Sequence, residues 1–293
     1  MKALPSPLDH APWRPRLPRK FALTLALAAA LGGCTSSSVP SVDDAIASRI
    51  DRLLPADVLL IGEQHDAPAH HRIEREVVEA LARKQRLAAL ALEMAESGNG
   101  TAHLPADATE AQAKTALSWD DKAWPWTDYG PAVMAAVRAG VPVLGANLPR
   151  ARMKDAMADV SLDAQLDAAA MRVQQDAIRS GHCDLLPATQ IGPMTRIQIA
   201  RDREMAHTLA QARVPGRTVV LVSGAGHAVP AIGVPQHLPT DLRVRTVKLS
   251  TAPGAGAAAA QDANDASGFD AVWSTPPMPD KDHCAELRRS FGK

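Results

Sequence analysis

Apolar runs alternate with amphipathic stretches along most of the chain. "DVLLIG" (57–62), "LAALALEM" (87–94), "VPVLGAN" (141–147) and "RTVVLVSG" (217–224) are near-continuous in apolar character. Strands covered on both faces read this way, so the four runs predict a buried, largely parallel sheet. "RVRTVKL" (243–249) is a fifth strand candidate and "FDAVWST" (269–275) a short edge strand. Between the strands, 70–84 sets Ile73, Val77 and Leu81 in an apolar stripe, with Arg72/Glu76 and Glu79/Arg83 as i,i+4 pairs on other faces. "YGPAVMAAVRAG" predicts a helix ending at Gly140, since glycine readily terminates helices. "MTRIQIARDREMAHTLAQARV" predicts a longer helix. Residues 149–190 are helical in pattern with no clear strand, and "TAPGAGAAAAQDANDASG" (251–268) is low in complexity and predicts a flexible loop. The order predicts an α/β fold: an open, mostly parallel sheet flanked by helices, with a small helical subdomain at 149–190.

The N-terminus stands apart. "RPRLPRK" is a basic segment, and the twelve uncharged residues of "FALTLALAAALG" are fewer than the roughly 20 needed to span a bilayer. Length and flanks match the hydrophobic region of a signal peptide. The run ends in "LGGC", which resembles the lipobox of bacterial lipoproteins, where the cysteine becomes the lipidated mature N-terminus. The alternative is an ordinary signal peptide that precedes a cysteine. The lipobox reading gives a signal peptide over 1–33, a polar tether over 34–48 and one α/β domain over 49–293. It implies a membrane anchor through acyl chains, palmitate among them, on Cys34. Thr35 in place of Asp implies sorting to the outer membrane, facing the periplasm.

Removing the export segment changes the charge. The chain has 32 Lys/Arg and 32 Asp/Glu; residues 1–33 take away five basic and one acidic residue, which leaves the mature part at −4. No basic block survives, which argues against nucleic acid as a partner. Cys183 and Cys284 remain. In an oxidising compartment they read as a disulfide closing a long loop, with two separate buried thiols as the alternative.

Polar residues recur where the strands end, the edge at which open α/β sheets bind ligands. The first strand ends in Glu63 and His65, the second in Glu93, the third in Asn147 with Arg150 close by, and the fourth in "SGAGH" (223–227). Glu93, following "LAALAL", is predicted to be partly buried and in need of a partner. Asp66 or Ala67-Pro68 reads as a helix start. His70 and His71 are adjacent, about 100° apart on a helix, and read mostly as surface residues, although His70 and Glu74 share a face. His227 reads equally as a ligand or as a satisfied structural histidine. A second constellation is aromatic: Trp119, Trp124, Trp126 and Tyr129 fall within "WDDKAWPWTDY", and Tyr129 is the only tyrosine. Such a cluster suits a flat conjugated ligand or a partner surface; the plainer reading is a local mini-core at a helix entry.

Together, "LLIGEQHD", "LALEM", the tryptophan segment, "GANLPR", "GHCDLLP", "ARDREMA", "GAGH" followed by "GVP", and "DHCAEL" resemble the ChaN-type haem-binding lipoproteins. These sit in a broader superfamily with Tiki proteases and erythromycin-esterase-like proteins. The likeness runs in order from about residue 50 to 290. It implies a haem-binding envelope lipoprotein of iron uptake, an α/β domain with a small helical part, and haem held between two subunits of a homodimer. It also implies a haem receptor or transporter as partner. In the family a tyrosine ligates the iron, and here only Tyr129 supplies a phenolate, a ligand type that favours ferric iron. His65, His227 and Trp126 would complete the haem site. The competing reading is a hydrolase. In it, His65 and His227 would hold a divalent metal or polarise a carbonyl while Glu63 or Glu93 activates water. The chain has no H-E-x-x-H or G-x-S-x-G motif to support that chemistry.

Overall fold

The computed structural model describes residues 42–252, 268–279 and 281–291. Cys34, the signal segment, the first part of the tether and residues 253–267 of the Ala/Gly-rich stretch lie outside the described residues.

Among the described residues, six strands form one sheet: β1 (Val58–Glu63), β2 (Leu87–Glu96), β3 (Val143–Asn147), β4 (Thr218–Gly224), β5 (Val244–Thr251) and β6 (Ala271–Thr275). Their order is β3-β2-β4-β1-β5-β6, and every pairing is parallel. All six carboxyl ends therefore share one edge. β1 and β4 are in register along their whole length, so Glu63 and Gly224 are opposite each other at that edge. The expected edge strand is β6, paired in parallel with β5.

Eight α-helices lie among the described residues. On one face of the sheet, α1 (Val42–Asp51), α2 (Pro68–Arg83) and α4 (Trp126–Arg138) pack Ile50, Val77, Leu81, Val133 and Val137 onto Leu59, Ile61, Leu90, Leu92, Val220 and Val222. On the other face, α7 (Ala188–Gln211) sets Met205 and Leu209 against Val58, Leu60, Ala91, Val219 and Leu221. Successive strand residues thus feed opposite layers, as the pleat requires. Each fully buried Leu, Ile or Val contributes about 1.5–3 kcal/mol, which makes these two layers the bulk of the fold's stabilisation. The helical elaboration is α5 (Arg150–Ala158), α6 (Ala168–Gly181) and the first half of α7, around a small core of Leu148, Ala156, Leu162, Leu166 and Ile199.

Three details differ from the sequence reading. Residues 42–48, expected within the tether, already belong to α1, whose Ile46 and Ile50 are buried. A further helix, α3 (Glu110–Ala116), opens on a capping box in which the Thr109 hydroxyl accepts from the Gln112 N–H and the Gln112 side chain accepts from the Thr109 N–H. His70 and His71, expected on the surface, are 0% and 7% exposed. The apolar stripe of α2 is wide enough to carry both beneath α4 and the end of β6. Cys183 and Cys284 form a disulfide, joining the turn after α6 to α8 (His283–Phe291).

Candidate functional site

Strand alternation decides which way each acidic residue points. Leu59 and Ile61 face the α2/α4 layer, so Glu63, two residues on, faces it too. Ala89 and Ala91 face α7, and so does Glu93. The two carboxylates therefore sit on opposite faces of the sheet, and each organises its own network.

The Glu63 network is built from α2 and α4. The Tyr129 hydroxyl donates to Glu63 Oε1 over 2.9 Å, and His65 Nδ1 lies 2.9 Å from the same oxygen. His71 Nε2 stands 3.2 Å from Oε2, at ion-pair distance but without hydrogen-bond alignment. Burial alone would raise Glu63, but interactions with His65, His71 and Glu74 outweigh it and hold the carboxyl at about 2. Glu74 is fully buried beside it. Burial, and then the charge of Glu63, push Glu74 well above the usual carboxylate range. Glu74 is thus the protonated partner and Glu63 the ionised one, the expected outcome when two carboxyls share a dry site. His70 accepts from the Gln64 N–H at Nδ1 over 3.0 Å, and its Nε2 lies 3.2 Å from the Thr275 hydroxyl. Burial lowers His70 to about 4, so it is neutral and carries its proton on Nε2.

The Glu93 network is built from β3, β4 and α7. Arg201 donates to Glu93 Oε1, and the Gly224 N–H donates to Oε2 over 2.7 Å. Asn147 ties the pair together: its amide donates to the Glu93 carbonyl over 2.8 Å, and its Oδ1 accepts from Arg201 Nε over 2.9 Å. His227 places Nδ1 2.5 Å from Asp202 and Nε2 3.4 Å from Glu93. Burial opposes its charge, but Glu93 and Asp202 outweigh that and lift His227 to about 9. Burial raises Asp202 in turn, with His227 opposing. Glu93 is held far below the usual range because His227 and Arg201 overcome the cost of burying it.

The networks meet at Gly224. A Cβ there would lie 2.8 Å from His65 Nε2 and 3.6 Å from Glu93 Oε2, so the missing side chain is what lets both groups approach. His65 is the solvent-facing member, its side chain 38% exposed. Burial of its inner part disfavours the imidazolium, but Glu63 and Glu93 overcome this and raise it. Beside it stands the aromatic segment. Trp124 meets the His65 ring edge-on at 4.9 Å, Trp119 and Trp126 cross at 5.2 Å, and Trp124 and Trp119 each lie 6.0 Å from Tyr129. All three tryptophans are half-buried, packed on the main core on one side and open on the other.

Several expected roles change with these positions. Tyr129, expected to face the iron as a phenolate, is 1% exposed behind His65. Burial and the charge of Glu63 push its ionisation far up, so it stays a phenol. His227, expected to line the cofactor site or help hold a metal, is 4% exposed, and both ring nitrogens face carboxylates. A charged ring has no lone pair to offer. Among the described residues, no group of three or more His, Cys, Asp or Glu is arranged to hold a metal ion. Asp66 caps no helix; it pairs with Lys281 at 2.8 Å, while Pro68 occupies the first turn of α2 behind Ala67. Arg150 is exposed and reaches Asp120 at 3.3 Å. A separate cleft of about 530 Å³ between α5 and α7 includes none of these residues. Arg201, Asp202 and Glu74 were not singled out as site residues from the sequence. A signal existed: Asp202 falls in the stripe Thr195, Ile199, Met205, Leu209, and an acid on a buried helical face needs a partner.

The family model described as "Haem-binding uptake, Tiki superfamily, ChaN" matches residues 49–238. Among solved structures, ChaN of Campylobacter jejuni, described with cofacial haem binding, is similar at 26% identity and a TM-score of 0.61, over 71% of this chain and 87% of that one. The type III effector HopBA1 is similar at 16% identity and a TM-score of 0.40, over 80% of this chain and 94% of that one. The RRSP effector domain of a Vibrio vulnificus MARTX toxin is similar at 18% identity and 0.41, over 72% and 36%. No curated protein matches the chain.

Proposed function

Since the chain belongs to the ChaN family of haem-binding uptake proteins in the Tiki superfamily, we propose that it binds haem at the carboxyl edge of its sheet, over His65 and the Trp119–Trp126 segment. One observation carries this reading: the solvent-facing histidine at the strand end stands directly against the half-open Trp124, which belongs to a cluster of three tryptophans. Haem supplies a flat apolar macrocycle around an iron and two propionates. The residues present fit such a group, because aromatic faces cover a macrocycle and an exposed imidazole is an iron ligand of ordinary type. The protein's part is to hold: Trp119, Trp124 and Trp126 shield one side, and the buried Glu63 network fixes His65.

The biological setting is a further part of the proposal. We place the protein in the cell envelope, anchored through lipid on Cys34 to the outer membrane and facing the periplasm, where it takes part in haem or iron uptake and passes haem to a receptor or transporter. The "LGGC" motif and the Cys183–Cys284 disulfide support this setting, since disulfides persist in oxidising compartments. Cofacial haem binding by the Campylobacter jejuni protein supports a homodimer when loaded.

The test is a ferric haem titration of residues 35–293, followed by absorption. Saturable binding is expected. Trp124→Ala should weaken it roughly two- to tenfold, from about 0.5–1.5 kcal/mol per aromatic contact. Absorption that rises without saturating, unchanged in the variant, would discard the haem reading.

A further inference from the structure

Taking haem as the ligand, as proposed above, we propose that His65 is the iron ligand, through Nε2, and that Glu63 is the positioning residue that presents it. Three side chains of the site could in principle reach an iron: Tyr129, His227 and His65. Tyr129 is 1% exposed and its hydroxyl is already donated to Glu63. His227 is 4% exposed, with Asp202 at one nitrogen and Glu93 at the other. His65 alone combines an open face with a tethered back.

The tether sets the chemistry. Glu63 Oε1 lies 2.9 Å from Nδ1 of His65 and also accepts the Tyr129 hydroxyl, so Nδ1 is the nitrogen engaged at the back of the ring. Nε2 is thereby the nitrogen left for an iron, which would take the place of any proton there, and no hydrogen-bond partner to it is found among the described residues. A carboxylate behind a histidine is the usual second shell of a metal-bound imidazole. It fixes the tautomer and the ring plane, and it makes the free nitrogen more basic. Two more contacts hold the ring. Trp124 meets it edge-on at 4.9 Å, and Gly224 lets the ring settle against the end of β4, since a Cβ there would sit 2.8 Å from Nε2. Glu63 does not shift to suit the ligand, because the Tyr129 hydroxyl shares the same oxygen from the core side.

The experiment compares the parent chain with His65→Ala, Glu63→Gln and Tyr129→Phe. Haem binding is followed by quenching of tryptophan fluorescence, which does not depend on the ligand. Iron ligation is followed by electron paramagnetic resonance and by resonance Raman of the iron–imidazole stretch. In the parent without haem, nitrogen-15 NMR of the His65 ring reads the tautomer directly. The expected results are an Nδ1–H ring in the free protein and an imidazole signature in the loaded one. His65→Ala should lose that signature and at least tenfold in affinity, and added imidazole should restore the signature. Glu63→Gln should keep binding but lower the stretching frequency, an effect that a merely structural role would not produce. Tyr129→Phe should keep the imidazole signature. A phenolate signature that vanishes in Tyr129→Phe and persists in His65→Ala overturns the assignment while leaving haem binding intact. A parent that shows no saturable quenching overturns the haem reading itself, and the assignment with it.

Discussion

His227 keeps its proton to about pH 9 because two buried carboxylates surround it, whereas an unfolded chain releases the same proton near 6.5. A folded pKa above the unfolded one means that this stabilisation is fully present below 6.5 and is lost as pH climbs towards 9. Stability to urea should therefore fall between those values, and His227→Gln should flatten the decline while lowering stability at neutral pH. Stability that rises from pH 7 to 9 would contradict this account. On the acid side the contributions oppose one another. His70 and His237, both lowered to about 4, cost stability as pH drops below 6.5, while Glu74 and Asp202, raised by burial, return some of it. The alkaline limb is the cleaner measurement. The sequence reveals that these residues matter more readily than it reveals how they pair. Glu63, His65, Glu93 and His227 are visible because they end apolar runs. Their partners Glu74, Asp202 and Arg201 come from helices, where burial depends on a neighbouring layer that the local pattern does not contain.

Strands were the most legible elements, because four of them are apolar on both faces and end in a distinct polar residue. Helices were legible where a stripe and a stop coincide, as in α4, which ends just before Gly140 with its φ of +67°. The short α1 and α3 were not. α3 has one buried residue, Ala113, and is held mainly by its cap; α1 is read as a polar tether until it is seen against the sheet. One junction between elements makes a sharp test. A Cβ on Gly145, in β3, would lie 2.0 Å from the Glu96 carbonyl oxygen, where the β2–β3 register shifts. Backbone cannot yield as a side-chain tip does, so Gly145→Ala should cost about 2 kcal/mol or more, in the upper range for overpacking. Gly226→Ala, with nothing within 4 Å and no positive φ, should lie within about 0.5 kcal/mol of the parent. Urea midpoints measured side by side decide between them; equal values would mean that β3 shifts freely.

The Cys183–Cys284 disulfide acts on the whole chain. It spans 101 residues, so the helical elaboration and the C-terminal helix share one covalent loop. In the chain-entropy picture a loop of that length restrains the unfolded state by up to about 4.7 kcal/mol, with measured values more often about 2–4. The Cys183→Ser/Cys284→Ser pair should therefore melt roughly 5–15 °C lower. Reductant should lower the parent's melting temperature and leave the double variant unchanged; equal melting of parent and variant without reductant would show that the loop carries no such load. The strand order has a consequence in time rather than in space. β1 is the first strand to be made, yet both of its neighbours, β4 and β5, are encoded after residue 217. While α2 through α7 are being synthesised, "VLLIG" has no strand to pair with, and Glu63 has no Gly224 opposite it. That edge, with the polar networks built on it, cannot exist on a growing chain until its last third has emerged, so it is completed late and all at once.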